Sequence, residues 1–288
     1  MTAPTISLEF FPPQNLEASF RLWDTVQTLA PLEPRFVSVT YGAGGTTRDL
    51  TRDAVATLHK SSDLNVAAHL TCVNATREET LRIANEFAAA GVNEIVALRG
   101  DPPKGSANFE AHPQGFAHSV ELIEALAETG KFTIRVGAYP DIHPEAAHAQ
   151  ADIDWLKRKI DAGASEAITQ FFFEAETFLR FRDACAKAGI DAPIIPGILP
   201  IEDWKGARAF AKRCGTDIPA WLDDAFAKAE RDDRTDLLAT AICTELCSDL
   251  MDEGVANFHF YTLNRPELTR DVCHALGVTP KVTLENVA

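Results

Sequence analysis

The chain has 288 residues, a formal net charge of −15 and an apolar fraction of 46%, which supplies enough hydrophobic material for a sizeable core and excludes a disordered chain. Lys and Arg are scattered rather than clustered, arguing against a nucleic-acid surface or an anionic membrane as partner. No apolar run is long enough to span a bilayer and no basic-then-apolar leader is visible, so a cytoplasmic protein is expected.

The first strand-like run, 6–11, holds Glu9 among Leu8, Phe10 and Phe11 and is stopped by Pro12-Pro13. Side chains alternate along a strand, so Leu8 and Phe10 face one way and Ser7, Glu9 and Phe11 the other. An acid among Phe side chains is desolvated, and the expectation is a raised pKa suited to a general acid. Further runs rich in β-branched and aromatic residues follow at 36–41, 66–72, 94–98, 133–139, 167–173, 194–199 and 258–263. Between them lie amphipathic stretches at 49–59, 78–90, 119–128, 150–162, 176–188 and 204–213. The glycines Gly42, Gly44 and Gly45 either let the backbone approach a ligand closely or turn the chain into the helix that begins near 49, with Thr46 or Thr47 as its cap.

Strands alternating with helix-length segments imply parallel βαβ units. Eight strands, with no Gly-x-Gly-x-x-Gly turn after any of them, point to one (β/α)8 TIM barrel over residues 1–288 rather than an open doubly wound sheet. The interval between strands seven and eight carries two extra helical segments, 219–229 and 234–252, an elaborated crossover. The six cysteines are widely spaced without a Cys-x-x-Cys pair, and His143 and His148 are five apart. Free thiols and no metal site are expected.

Barrel chemistry gathers at the carboxyl ends of the strands. There the sequence places Glu9, Thr40-Tyr41, His69, Arg99-Gly100-Asp101, Tyr139, Gln170, and Tyr261 with Asn264-Arg265. Taken singly, His69 also reads as a satisfied core histidine, Gln170 as a backbone cap and Arg99-Asp101 as a structural ion pair. As a ring at one end of a barrel they suit a polar, aromatic-lined ligand site.

Seven motifs in order carry a resemblance: Leu8-Glu9-Phe10-Phe11-Pro12-Pro13, Phe36-Val37-Ser38-Val39-Thr40-Tyr41-Gly42-Ala43, Ala68-His69-Leu70-Thr71-Cys72, Ala97-Leu98-Arg99-Gly100-Asp101, Ala138-Tyr139-Pro140, Ala167-Ile168-Thr169-Gln170-Phe171-Phe172-Phe173 and Phe260-Tyr261-Thr262-Leu263-Asn264-Arg265. Together, from about 5 to 277, they resemble methylenetetrahydrofolate reductase in its short bacterial form. The resemblance implies a flavoenzyme of one-carbon and methionine metabolism in which NAD(P)H reduces non-covalently bound FAD. The reduced flavin then passes a hydride to 5,10-methylenetetrahydrofolate, by ping-pong kinetics and in a chemically reversible reaction. It also implies a homo-oligomer.

Carried over by position, Glu9 is the acid that protonates the folate ring nitrogen. Asp101 stabilises the iminium cation formed on ring opening and holds the pterin edge. Gln170 serves both substrates in turn, Thr40 lies on the nicotinamide side, Arg265 on the folate side, and Phe210 packs against both. FAD would lie against Tyr41, Ala43, His69, Arg99, Gly100, Asp101, Ala117, Tyr139, His143, Ala146, Asp152, Arg158 and Lys159. Asp152 and Lys159 are seven apart on one helix and so share a face; an acid for ribose hydroxyls and a base for pyrophosphate fit a dinucleotide. Phe116 stands where enteric bacterial members have Tyr, and Trp155 and Gly206 replace polar residues. Two other readings of the ring are a flavin-free pterin-binding barrel transferring a one-carbon unit, and a non-catalytic folate- or flavin-binding subunit.

Overall fold

A computed structural model describes residues 2–42, 47–102 and 109–280. Its strands are β1 (Thr5–Phe10), β2 (Val37–Val39), β3 (Val66–Thr71), β4 (Glu94–Leu98), β5 (Thr133–Ala138), β6 (Glu166–Thr169), β7 (Ile194–Ile195), β8 (Gly197–Ile198) and β9 (Asn257–Tyr261). All pairings are parallel, in the order β7-β6-β5-β4-β3-β2-β1-β9-β8. The two ends of this order are halves of one barrel strand. Pro196, which has no N–H to give a ladder, lies between β7 and β8; β7 pairs with β6 and β8 with β9, and the sheet comes round almost to closure. The single run expected over 194–199 is therefore two short strands, and the fold is the expected α/β barrel.

The surrounding helices are α1 (Leu16–Leu29), α2 (Arg48–Ser61), α3 (Arg77–Ala89), α4 (Ser119–Glu128), α5 (Ala149–Asp161), α6 (Ala175–Lys187), α7 (Trp204–Cys214), α8 (Ala220–Arg231), α9 (Thr235–Asp252) and α10 (Pro266–Ala275). Helices α8 and α9 are the expected elaboration before the last strand. Local chemistry sets several starts: Asn15 caps α1, Thr76 and Glu79 form a capping box on α3, and Asp203 caps α7. Thr47 stands at the start of α2, but its hydroxyl accepts the Gly42 N–H at 2.6 Å instead of capping the helix; Thr46 lies outside the described residues. No helix among the described residues is long and apolar enough to cross a membrane.

The alternation read in the first strand organises the whole sheet. Leu8, Phe10, Val37, Val39, Ile95, Phe258 and Phe260, all almost fully buried, form the layer between sheet and helices. The opposite face lines the barrel interior, where Phe36, Ala67, Val96 and Ile168 form a separate small apolar cluster. Toward the amino ends of the strands, buried Arg135 pairs with Glu166 and Glu94 and lies 3.8 Å over the Phe36 ring. Arg35 adds two bonds to Glu166, at 2.9 and 3.0 Å. The bottom of the barrel is thus plugged by a satisfied charge network, while the top is left for chemistry.

Candidate active site

Glu9 occupies the last inward position of β1, and the parallel register sets its neighbours: Ser38 on β2 and Tyr261 on β9 lie directly beside it. Its side chain is 17% exposed, with His69 Nε2 at 3.2 Å and His259 Nε2 at 3.7 Å from Oε2, and Ser38 Oγ at 3.5 Å. His259 Nδ1 is 2.8 Å from Ser7 Oγ, and that hydroxyl donates to the Phe258 carbonyl at 3.3 Å. The Ser7 hydroxyl thus holds the far nitrogen of the ring, and Nε2 faces the carboxyl. Neither imidazole Nε2 makes a well-aligned hydrogen bond, although both are buried.

The raised pKa expected for Glu9 is not found. Burial pushes the carboxyl up, but the nearby His69 and His259 imidazoles outweigh it and hold the group at about 2. Phe10 and Phe11 are adjacent in sequence, whereas the imidazoles arrive from β3 and β9. Burial also lowers His259 below its ordinary value, with Glu9 opposing. The carboxyl and the two imidazoles thus form one buried cluster. Sequence reasoning missed His259; the signal was there, since Phe258 and Phe260 face outward and the residue between them must face in.

A second group gathers where β4 and β5 open into loops. Arg99 bonds Glu145 through both terminal nitrogens at 2.5 and 2.9 Å and lies 4.9 Å from the Phe109 ring centroid. The Glu145 hydrogen bonds raise Arg99 above its ordinary value. Gly100 has φ +87, and a Cβ there would come within 2.9 Å of Thr71 Cβ, so only glycine permits this close turn. Asp101, beyond it, is exposed, and its charge helps raise the Tyr139 hydroxyl, which burial chiefly pushes up to about 12. Tyr139 meets His143 edge-on at 4.4 Å. The His143 N–H donates to Asp152 at 2.9 Å, and its carbonyl accepts the Ala146 N–H at 2.8 Å. Burial lowers the His143 pKa. From the shared face of α5, Lys159 Nζ donates to the Gly137 carbonyl at 2.8 Å, and burial draws it down to about 8.

The other expected positions are more dispersed. Thr40 and half-buried Tyr41 flank a hollow of about 280 Å³ together with Phe11, Pro12, Gln14 and Thr47. The Tyr41 hydroxyl accepts from Arg48 Nε at 2.7 Å, and burial raises its pKa. Gln170 Oε1 accepts its neighbour's N–H, that of Phe171, at 3.0 Å. Phe210 packs on Phe171 at 5.2 Å. Arg265 is paired with Glu202 at 3.0 Å. Ala117 and Arg158 are exposed, and Arg158 lies 4.5 Å over the Trp155 ring. Phe116 is fully buried beneath the Arg77 guanidinium. Ala43 lies outside the described residues. Tyr261 ties the top together: its hydroxyl donates to the Thr169 carbonyl at 2.6 Å, passing so close to Gly197 that a Cβ there would sit 2.7 Å from the phenol oxygen.

The model of the family described as methylenetetrahydrofolate reductase matches residues 1–277. The chain belongs to the methylenetetrahydrofolate reductase family. It is 47% identical to the 5,10-methylenetetrahydrofolate reductases of Salmonella typhimurium and Escherichia coli, over 96% of this chain and 91% of each relative. A plant relative, methylenetetrahydrofolate reductase (NADH) 1 of Arabidopsis thaliana, is 34% identical over 94% of this chain and 48% of its own length. Methylenetetrahydrofolate reductases are oxidoreductases, and this chain is an enzyme of that class. Among solved structures, a Clostridium thermocellum protein described as binding two copies of 5-methyl-5,6,7,8-tetrahydrofolic acid shares the fold, with a TM-score of 0.59 at 15% identity over 96% of this chain and 95% of that one.

Proposed function

We propose that the chain catalyses FAD-dependent reduction of 5,10-methylenetetrahydrofolate to 5-methyltetrahydrofolate, with NAD(P)H as electron donor, in the cytoplasm and as a homo-oligomer. The observation that carries this reading is the Glu9 carboxyl held between His69 and His259 at the open end of the barrel. The relatives' name supplies the reaction that such an acid would serve.

The second group fits FAD on physical grounds. The part-buried Lys159 ammonium donates to the Gly137 carbonyl and, among the described residues, makes no ion pair, with Asp152 near enough only to oppose the effect of burial; an anionic phosphate would satisfy it. Lys159, Arg99, Asp152, His143, Tyr139 and Gly100 would hold the dinucleotide, with Tyr41, His69 and Asp101 nearer the flavin. Arg158, Ala117, Ala146 and Ala43 complete the set by resemblance. Bound FAD would supply the hydride relay that lets the nicotinamide and the folate react in turn.

The remaining work falls to the chain's own side chains. Glu9 passes a proton to the folate ring nitrogen; its carboxyl, ionised at rest, first takes that proton up at the open end of the barrel, beside His69 and His259. Asp101, exposed at the mouth, accepts hydrogen bonds from the pterin edge and lowers the energy of the iminium cation. Gln170 offers a donor and an acceptor on one amide to whichever substrate is present. Thr40 lines the hollow on the nicotinamide side and Phe210 gives an aromatic face to both substrates. Arg265 must leave Glu202, at least in part, to meet a folate carboxylate. The test is Glu9→Gln in FAD-reconstituted protein: flavin reduction by NADH should persist while exchange with folate is abolished. Undiminished folate exchange would remove Glu9 from this role. A colourless protein that binds folate but refuses FAD would favour the flavin-free barrel.

A further inference from the structure

The turn joining β9 to α10 holds the end of β1 by an arrangement that the ladder does not explain. Leu263 and Asn264 both have left-handed backbones, with φ +50 and +55, a conformation that Leu in particular adopts only under constraint. The constraint is visible on both sides. Thr262, 3% exposed, donates to the Glu9 carbonyl through Oγ1 at 2.7 Å and through its N–H at 3.3 Å. Asn264 clasps the next odd residue: its Oδ1 accepts the Phe11 N–H at 2.9 Å and its Nδ2 donates to the Phe11 carbonyl at 3.0 Å. The turn closes on itself through Asn264 N–H to Thr262 Oγ1 at 3.2 Å and Arg265 N–H to the Thr262 carbonyl at 2.9 Å.

Sequence explains why such a clasp is needed. Pro12 and Pro13 follow at once, and neither can donate a backbone hydrogen bond, so β1 cannot extend its ladder past Phe11. The Asn264 side chain, with one donor and one acceptor, takes the place of the missing neighbouring strand for Phe11. Between Thr262 on Glu9 and Asn264 on Phe11, with the Thr40 N–H on the Phe10 carbonyl at 2.9 Å, three successive backbone units at the end of β1 are pinned.

We infer that Thr262 and Asn264 are positioning residues for the acid: the strained turn fixes the end of β1 so that the Glu9 carboxyl stays between His69 and His259. Neither residue touches the reacting atoms in this account, which rests on the role proposed above for Glu9. Displacement of an acid by a fraction of an ångström is enough to lower a proton-transfer rate substantially.

Asn264→Gly keeps the left-handed backbone and removes the clasp. Thr262→Val keeps the shape and removes the hydroxyl. In FAD-reconstituted protein, each should slow flavin reduction by 5-methyltetrahydrofolate by about tenfold or more and alter its pH profile, while reduction by NADH stays within about twofold. Asn264→Asp, which still accepts the Phe11 N–H, should recover part of the loss. A readout independent of turnover is the Glu9 carboxyl resonance in carbon-13 glutamate-labelled apoprotein, assigned by its absence in Glu9→Gln. Its titration midpoint should move by at least about 0.5 pH unit in either variant. Should Asn264→Gly fail to fold, Thr262→Val carries the test alone. An unmoved resonance with folate reactivity unchanged, or both half-reactions falling together, would overturn the positioning role. If wild-type protein itself ignores the folate, the proposed reaction fails, and the resonance still decides whether the turn positions Glu9.

Discussion

Replacing Lys159 with methionine should make the apoprotein more stable and FAD harder to bind. The ammonium donates to the Gly137 carbonyl and burial draws its pKa from 10.5 to about 8. A base that binds its proton less tightly when folded opposes folding wherever the unfolded chain keeps that proton. The penalty is complete below pH 8, fades between 8 and 10.5, and is nearly gone above. At ~1.4 kcal/mol per pH unit it amounts to ~3 kcal/mol at neutral pH, trimmed to ~2 because the residue retains some solvent contact. Loss of the bond to Gly137 offsets ~1 kcal/mol, leaving a net gain of ~1 kcal/mol for Lys159→Met. Urea unfolding of the apoprotein at pH 7 and at pH 10.5 measures this directly; the gain should appear at the lower pH and vanish or reverse at the higher. Fluorescence titration with FAD should show affinity reduced about tenfold to a hundredfold, the worth of one charged hydrogen bond. Equal stability changes at both pH values, or unchanged FAD affinity, would refute the reading of Lys159 as an ammonium awaiting an anion.

Three further outcomes follow from the same geometry. Glu9 is held at about 2 against an ordinary 4.5, so its ionised form stabilises the fold above pH 4.5 and that contribution, at most ~3 kcal/mol, is lost as pH falls toward 2. Glu9→Gln should lack this segment in urea unfolding between pH 5 and pH 2, and parallel curves would contradict it. Glu166→Gln strips one partner from the buried network of Arg135 and Arg35 and should cost ~3 kcal/mol while leaving both half-reactions of the folded protein unchanged; a loss under ~1 kcal/mol would show that the plug is slack. Gly197→Ala would set a Cβ 2.1 Å from the Thr169 carbonyl oxygen and should destabilise by ~3 kcal/mol or more with loss of the Tyr261 hydrogen bond; tyrosine fluorescence and calorimetry would expose an unperturbed variant.

Period-two alternation made the inward face of β1 legible, and the alternation of strands and helices made the barrel legible, because both reflect local burial. The same logic placed Arg99 and Tyr139 at strand ends and Asp152 and Lys159 on one helix face, whereas His143 and Asp152 joined that group only through the family resemblance. What escaped was set by residues distant in sequence. The low pKa of Glu9 depends on imidazoles from β3 and β9, the break at Pro196 on which neighbour each half-strand meets, and the Arg265–Glu202 pair on two loops joining only in the folded barrel. Expected strand ends such as Tyr41, Tyr139 and Leu263 also ran past the observed ones, since side chains suited to a strand persist into loops that have left the ladder.

The most direct test of the central claim is an anaerobic absorption titration of FAD-reconstituted protein, one sample with 5-methyltetrahydrofolate and a parallel one with NADH. The account predicts that each bleaches the flavin on its own, establishing flavin, folate site and nicotinamide site in one experiment. Bleaching by the folate alone would leave the acid chemistry standing and contradict the nicotinamide assignment, and bleaching by neither would contradict the proposed reaction.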